Sequence, residues 1–134
     1  MRMRQDVYTG TLMVHGESGQ QTLLEASNCA SDLFELKRFK EAKSLLRKNI
    51  PLARRALGEN DNTTLRMRRV YARALFVDPA ATLDDVREAM TTFEEILRIA
   101  RRVLGGTHPA TTGIEEDLRR SRARMETQPE RARN

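Results

Sequence analysis

Apolar residues recur at spacings of three and four along five stretches of the chain, and each stretch predicts an amphipathic helix. Leu23, Ala26, Cys29 or Ala30, Leu33 and Leu36 mark the first, from about Thr22 to Lys37. Thr22 is its expected cap, with Glu25 three residues on as the capping-box partner. Phe39, Ala42, Leu45, Leu46, Ile50, Ala53 and Leu57 mark the second, from about Phe39 to Leu57. Only Lys37 and Arg38 separate the two, and so short a link forces an antiparallel hairpin. Pro51 falls inside the second helix, where its missing N–H and its ring predict a kink near residues 47–51.

The plan then repeats. A third helix starts at Thr63 or Thr64 and runs to about Phe76, with Leu65, Met67 or Arg68, Val70, Tyr71, Ala74 and Leu75 as its stripe. Pro79 stops it, and Thr82 or Asp84 caps a fourth helix from about Leu83 to Leu104. That helix carries Val86, Ala89, Met90, Phe93, Ile96, Leu97, Ala100 and Val103 or Leu104 on its apolar face. A fifth begins at Pro109 or Ala110 and ends near Met125, with little more than Ile114 and Leu118 to bury. So thin a stripe fits a capping element with one neighbour. Residues 1–15 read as a poorly defined N-terminal segment or the remnant of a preceding repeat helix, as at the cut edge of a longer array. Residues 16–127 read as one helical-repeat domain, and residues 128–134 as a flexible tail.

A polar, glycine-bearing phrase stands between these segments: HGESGQQTL at residues 15–23, LGENDNTTL at 57–65 and LGGTHPATT at 104–112. Gly16 and Gly58 are 42 residues apart, and Gly58 and Gly105 are 47 apart; the difference lies in the longer turn at residues 77–85. Shifted by 42, Thr22-Leu23 falls on Thr64-Leu65 and Leu33-Phe34 on Leu75-Phe76. Shifted by 47, Glu41-Ala42 falls on Glu88-Ala89 and Ala53-Arg54-Arg55 on Ala100-Arg101-Arg102. Small residues at Ala30, Ala42, Ala72 and Ala89 allow close helix approach, and Leu33, Leu46, Leu75 and Phe93 fill the spaces between. Such periodicity predicts an all-α fold, a right-handed α-solenoid of stacked antiparallel helix hairpins with about five main helices.

Composition agrees with helix. Leucine, alanine and arginine outnumber valine and isoleucine, there is no tryptophan, and 39% hydrophobic against 32% charged residues suits helices that each show one face to water. The single Cys29 excludes an internal disulfide framework. No apolar run reaches membrane-spanning length and no signal-peptide core is present, which points by default to the cytoplasm and away from membranes.

Enzyme chemistry finds no purchase. His15 and His108 are 93 residues apart, both in connecting phrases, and Cys29 sits in an apolar stripe. No cluster has metal-ligand spacing, and no nucleophile meets a base. Gly105-Gly106 lacks the lysine of a phosphate-binding loop, and Asp84-Asp85 and Glu94-Glu95 are sequential pairs that start or solvate helices. Neither catalytic residues, nor a cofactor, nor a metal is expected.

The segments FKEAKSLLRKNIPLARRALGENDNTTL and REAMTTFEEILRIARRVLGGTHPATT resemble the tetratricopeptide repeats of the kinesin-light-chain-like type, whose unit is also 42 residues. Thr22-Leu23, Asn28-Cys29-Ala30, Arg38-Phe39, Glu41-Ala42 and Leu57-Gly58 fit one copy, and Leu104-Gly105, His108-Pro109 and Thr111 open another. The sequence departs from the family at the tight turn, where Leu36-Lys37 stands instead of the usual glycine, and at Arg119, which matches Ala72.

The resemblance implies a protein–protein interaction module or scaffold fragment, in which the first helix of each pair lines an inner groove for peptide segments. Carried over by position, the groove residues are Leu24, Ser27, Asn28, Ser31 and Glu35 from the first pair, and Arg66, Arg69, Val70 and Arg73 from the second. Arg66, Arg69 and Arg73 are spaced three then four, so they share one helix face. Arginine clamps carboxylates through paired bonds, which gives the groove an acidic bias; a plain solvated face accounts for the same spacing.

Two other readings stand beside this one. The net charge of +5 admits a nucleic-acid-associated basic helical protein using Arg66, Arg68, Arg69, Arg73, Arg119, Arg120, Arg122 and Arg124. Against nucleic acid, Tyr71 belongs to the core stripe and no aromatic interleaves those arginines for base stacking. A self-associating architectural spacer would follow from apolar edge helices. The expected partner is a protein or peptide ligand, and the expected state a monomer or weak homo-oligomer.

Overall fold

The computed structural model describes residues 19–127. Five helices account for most of them: α1 Gln20–Glu35, α2 Phe39–Ala56, α3 Asn62–Val77, α4 Leu83–Val103 and α5 Pro109–Glu126. No strand occurs among the described residues. The expectations for residues 1–15 and 128–134 fall outside them. The packing forms two compact units that divide within α3, between Tyr71 and Ala72.

In the first unit α1 packs against α2. Leu23, Ala26, Ala30, Leu46, Ala53 and Met67 form its buried cluster, with Leu45, Ile50, Leu52, Leu57, Val70 and Tyr71 half-buried against it. The alanines let the helix backbones approach while leucine and methionine fill the remaining volume. Each fully buried leucine contributes about 2 kcal/mol, more than one helix cap does, so packing sets the helix limits where the two compete.

The start of α1 illustrates that competition. Thr22 does not cap it. The helix begins at Gln20 after Gly19, whose extended backbone supplies no side-chain cap, and Leu23 N–H bonds to Gly19 O at 2.9 Å. Thr22 is fully buried inside the first turn, and Glu25 accepts from Gln21 Nε2 at 3.1 Å instead of reaching back to a cap.

The link between α1 and α2 is closed by backbone bonds. Arg38 N–H reaches Leu33 O and Lys37 N–H reaches Phe34 O, both at 2.9 Å, the bond pair of a Schellman motif. The motif needs a left-handed residue, and Lys37 takes that place with φ 62°. Phe34 and Phe39 meet edge to face across the turn, ring centres 5.5 Å apart.

Helix α2 continues through Pro51 to Ala56. Pro51 and Arg47 are both exposed, so the Arg47 carbonyl that loses its N–H partner lies on the side open to water. Beyond α2, Gly58 has φ 95° and its N–H bonds Ala53 O and Arg54 O at 3.2 and 3.1 Å. Gly105 repeats this beyond α4, with φ 94° and bonds to Ala100 O and Arg101 O, both 3.2 Å. A Cβ at either glycine would meet nothing within 4 Å. The backbone's handedness, not crowding, therefore calls for glycine there.

The second unit holds the end of α3 with α4 and α5. α4 buries Leu83, Val86, Ala89, Phe93, Ile96, Leu97 and Ala100 and packs against α5. Phe93 meets Phe76 edge to face at 5.8 Å. Thr82 caps α4 as its position predicted: its Oγ1 accepts from Asp85 N–H at 3.1 Å, and Asp85 Oδ2 accepts from Thr82 N–H at 2.9 Å. α5 buries only two large apolar side chains, Ile114 and Leu118, beside Thr111, Asp117 and Ser121. Its thin stripe is supplemented by polar contacts, including the Arg124 guanidinium on the carbonyls of Phe76 and Pro79.

Candidate functional site

Helix α1 buries Thr22, Leu23, Ala26, Ser27, Cys29, Ala30, Leu33 and Phe34. Its other face therefore carries Leu24, Glu25, Asn28, Ser31 and Asp32, all half-buried, and the exposed Glu35. In the same unit α3 leaves Thr63, Arg66, Arg69 and Val70 half-buried. A bond from Arg66 joins the two faces. Arg66 Nη2 donates to Asn28 Oδ1 at 3.2 Å, joining residues 38 apart in sequence.

The expected groove residues thus fare differently. Leu24, Asn28, Ser31 and Glu35 lie on one side of α1 and remain accessible. Ser27 does not. It is fully buried, and its Oγ has no hydrogen-bond partner. It lies on the packed side of α1 because it follows Leu23 by four residues and Ala26 by one, within the apolar arc. Val70 is half-buried and leans on the core cluster.

Nor do the three arginines act as one cluster. Arg66 has a neutral partner, Asn28. Arg69 is engaged in a polar or electrostatic contact of its own. Arg73 belongs to the second unit, where its Nε is 3.8 Å from Asp117 Oδ1; the Arg73 side chain is 31% exposed and that of Asp117 only 5%. The helical spacing placed them on one face, but it could not show which charges were already answered.

Arg68 is outside this face altogether. It is buried, with Nη1 3.6 Å from Glu59 Oε1, and ties α3 to the preceding connection. The other arginines of the nucleic-acid reading are also engaged. Arg119 and Arg120 pair with Glu116, Arg122 lies 3.2 Å from Glu94, and Arg124 donates to backbone carbonyls. Those residues make structural contacts within the second unit.

Sequence reasoning also passed over Glu25 and Asp32. Both share the accessible face of α1 with Asn28, and the same three-and-four spacing that selected Asn28 would have found them. Their omission matters for charge. α1 carries three acidic residues and no basic one, while α3 carries four arginines and no acidic residue. Taken with Arg66 and Arg69, the accessible face of this unit is of mixed sign, not uniformly basic.

Among the described residues no group of three or more His, Cys, Asp or Glu side chains could hold a metal ion, and no helix is long and apolar enough to cross a membrane. His108 serves the backbone: its Nδ1 accepts from Ala110 N–H at 3.0 Å, at the cap of α5, with Pro109 in the first turn.

Against known families, the tetratricopeptide repeat matches residues 26–62 and 81–110. The chain belongs to the tetratricopeptide repeat family. A search of curated proteins finds no match. The first matched segment takes in most of α1, all of α2 and the connection through Asn62; the second takes in α4 and its connection to α5. Both include the glycine turn and the arginine pair that precedes it. Tetratricopeptide repeats are generally protein–protein interaction modules on a non-catalytic fold. Residues 63–80, holding nearly all of α3, lie between the matched segments.

Proposed function

We propose that the chain is a peptide-docking module, with its ligand lying along the accessible faces of α1 and the first part of α3. The residues that contact it are Leu24, Asn28, Ser31 and Glu35 on α1, and Arg66 and Arg69 on α3. Arg73 serves to hold Asp117, and Ser27 has only a packing role. The ligand is a peptide of mixed sequence with a preference for a carboxylate at the position facing Arg66.

One observation carries this reading. Arg66 is half-buried and its partner is a neutral amide, so its charge is not offset by a carboxylate among the described residues. The Asn28 amide holds the guanidinium in place and leaves its remaining N–H groups for an incoming acceptor. Asn28 Nδ2 can meanwhile donate to a peptide carbonyl. A positioned guanidinium makes stronger, charge-assisted bonds to a carboxylate than to a neutral acceptor. Glu25, Asp32 and Glu35 on the neighbouring helix oppose a uniformly acidic peptide, and this selects a ligand with one well-placed acid.

The test is a peptide array of single-acid, multiple-acid and neutral sequences, probed with the native chain, Arg66→Gln and Asn28→Ala. Arg66→Gln should weaken single-acid ligands about tenfold and leave neutral ones unchanged, as expected for loss of one charge-assisted bond. Retention of the same acidic peptides at equal affinity by Arg66→Gln would sink the proposal.

A further inference from the structure

Helix α2 carries Lys40, Lys43, Arg47, Lys48, Arg54 and Arg55 against a single carboxylate, Glu41. Six cations against one anion leave an excess of five, as large as the net charge of the whole chain, +5. At 3.6 residues per turn the six side chains fall within an arc of about 140°, and Lys40 to Arg55 spans about 22 Å along the axis. The arc lies away from the buried stripe of Phe39, Ala42, Leu46, Asn49 and Ala53. Lys40, Arg47, Lys48, Arg54 and Arg55 are exposed and Lys43 is half-buried.

Little within the unit answers this charge. Arg54 pairs with Glu59 at 2.9 Å. Arg47 donates from Nε to the Tyr71 hydroxyl at 3.2 Å, its guanidinium 5.7 Å from the ring centre. Lys40, Lys48 and Arg55 have no carboxylate partner among the described residues. Like charges three and four residues apart repel, so the arrangement weakens the helix that bears it. Folding accounts for Arg54 and Arg55, which lie in the last turn where the helix dipole favours cations, but not for the lysines.

The chemistry of the face selects its occupant. Its exposed residues other than cations are Glu41, Ser44, Pro51 and Ala56, without an aromatic or large aliphatic side chain. Protein interfaces centre on such apolar anchors. Helices that lie on membranes insert them, and single-stranded nucleic acid stacks on aromatic rings. Contact with a duplex backbone needs only cations ranged along phosphates, and the B-form major groove is wide enough to receive a helix where the A-form groove is not. A length of about 22 Å covers about six base-pair steps of DNA.

We propose that the exposed face of α2 binds the phosphate backbone of duplex DNA without reading its sequence. This surface is separate from the peptide face. It uses none of the arginines of α3 or α5.

The test is fluorescence anisotropy of a labelled DNA duplex of about 20 base pairs and mixed sequence, titrated with the full chain from about 50 mM salt upward. Lys40→Ala/Lys48→Ala/Arg55→Ala is compared with Arg119→Ala/Arg120→Ala/Arg122→Ala, which removes the same number of cations from α5. Circular dichroism confirms that both variants remain helical. The α2 variant should bind at least about tenfold more weakly at low salt and flatten the log–log salt slope by about 2.7, or 0.9 for each lost phosphate contact. The α5 variant should retain most of the affinity and the slope. Equal losses in both variants would mean that net charge alone is responsible and would overturn the proposal. So would the absence of saturable binding by the native chain, or equal affinity for polyglutamate or for phosphatidylserine vesicles. Arg66→Gln separates the two sites: it should leave the DNA titration unchanged whatever it does to peptides.

Discussion

Asp61 and His108 occupy the same place in successive connections, and two different side chains do the same work there. Asp61 Oδ2 accepts from Thr63 N–H at 2.9 Å and His108 Nδ1 accepts from Ala110 N–H at 3.0 Å, each two residues beyond the cap. Each is also bonded through its own N–H to the glycine that closes the previous helix, Asp61 to Gly58 O at 3.4 Å and His108 to Gly105 O at 3.3 Å. The recurring phrase is thus one device built twice, a left-handed glycine followed three residues later by a side-chain cap. Asp61→Ala and His108→Ala should each lower stability by about 1 kcal/mol, and Asp61→Asn by much less, because it keeps the acceptor. Urea unfolding monitored by circular dichroism measures all three.

The Schellman turn between α1 and α2 has a lysine where the conformation favours glycine. Lys37 at φ 62° has an exposed side chain, so replacing it removes strain and no packing. Lys37→Gly should raise stability by about 0.5–1 kcal/mol, the relief of the left-handed strain exceeding the extra entropy of glycine in the unfolded chain. A fall in the urea midpoint would contradict this.

Thr64 and Thr111 are fully buried at matching positions of α3 and α5, but their hydroxyls differ. Thr64 Oγ1 donates to Ala53 O at 3.4 Å, whereas Thr111 Oγ1 has no partner. Thr111→Val keeps the shape and removes an unsatisfied hydroxyl, and should stabilise by about 1 kcal/mol; Thr64→Val should be neutral or destabilising by a similar amount. The difference in sign is the prediction, read from thermal or urea midpoints.

Asp117 is buried in α5 with Arg73 as its counter-charge. Removing the arginine leaves a carboxylate away from water. Arg73→Ala should therefore destabilise by about 2 kcal/mol, less than for a fully buried pair because Arg73 is itself partly solvated. Adding Asp117→Ala should recover part of the loss. A double-mutant cycle with no coupling would show that the pair is incidental.

Much of this architecture was legible from local chemistry. All five helices begin within about two residues of where apolar spacing placed them, since 3.6-residue periodicity and turn residues act over one or two turns. Of the two expected caps, Thr82 and Asp84, α4 uses Thr82, which a capping box with Asp85 selects within four neighbouring residues. The start of α1 was misjudged by a neighbouring threonine: Thr22 and Thr82 have the same side chain, but Thr22 lies on the buried side of its helix and is drawn into the core. Ser27 was misplaced for a related reason, since a small polar residue at the edge of an apolar arc faces inward or outward according to what packs beside it.

The sequence by itself determined that the chain makes paired helices joined by a repeated glycine turn, and that it belongs with the tetratricopeptide repeats. The paired helices follow from periodicity, propensity and short-range capping, and the family from the resemblance of the motifs at the turns and helix starts. Tertiary structure alone decided what each arginine of α3 meets. Arg66 meets Asn28 across 38 residues, Arg68 turns inward to Glu59, and Arg73 is held by Asp117 of α5. Spacing of three and four makes charges neighbours on one helix, but the groups they meet come from other helices or from a connection.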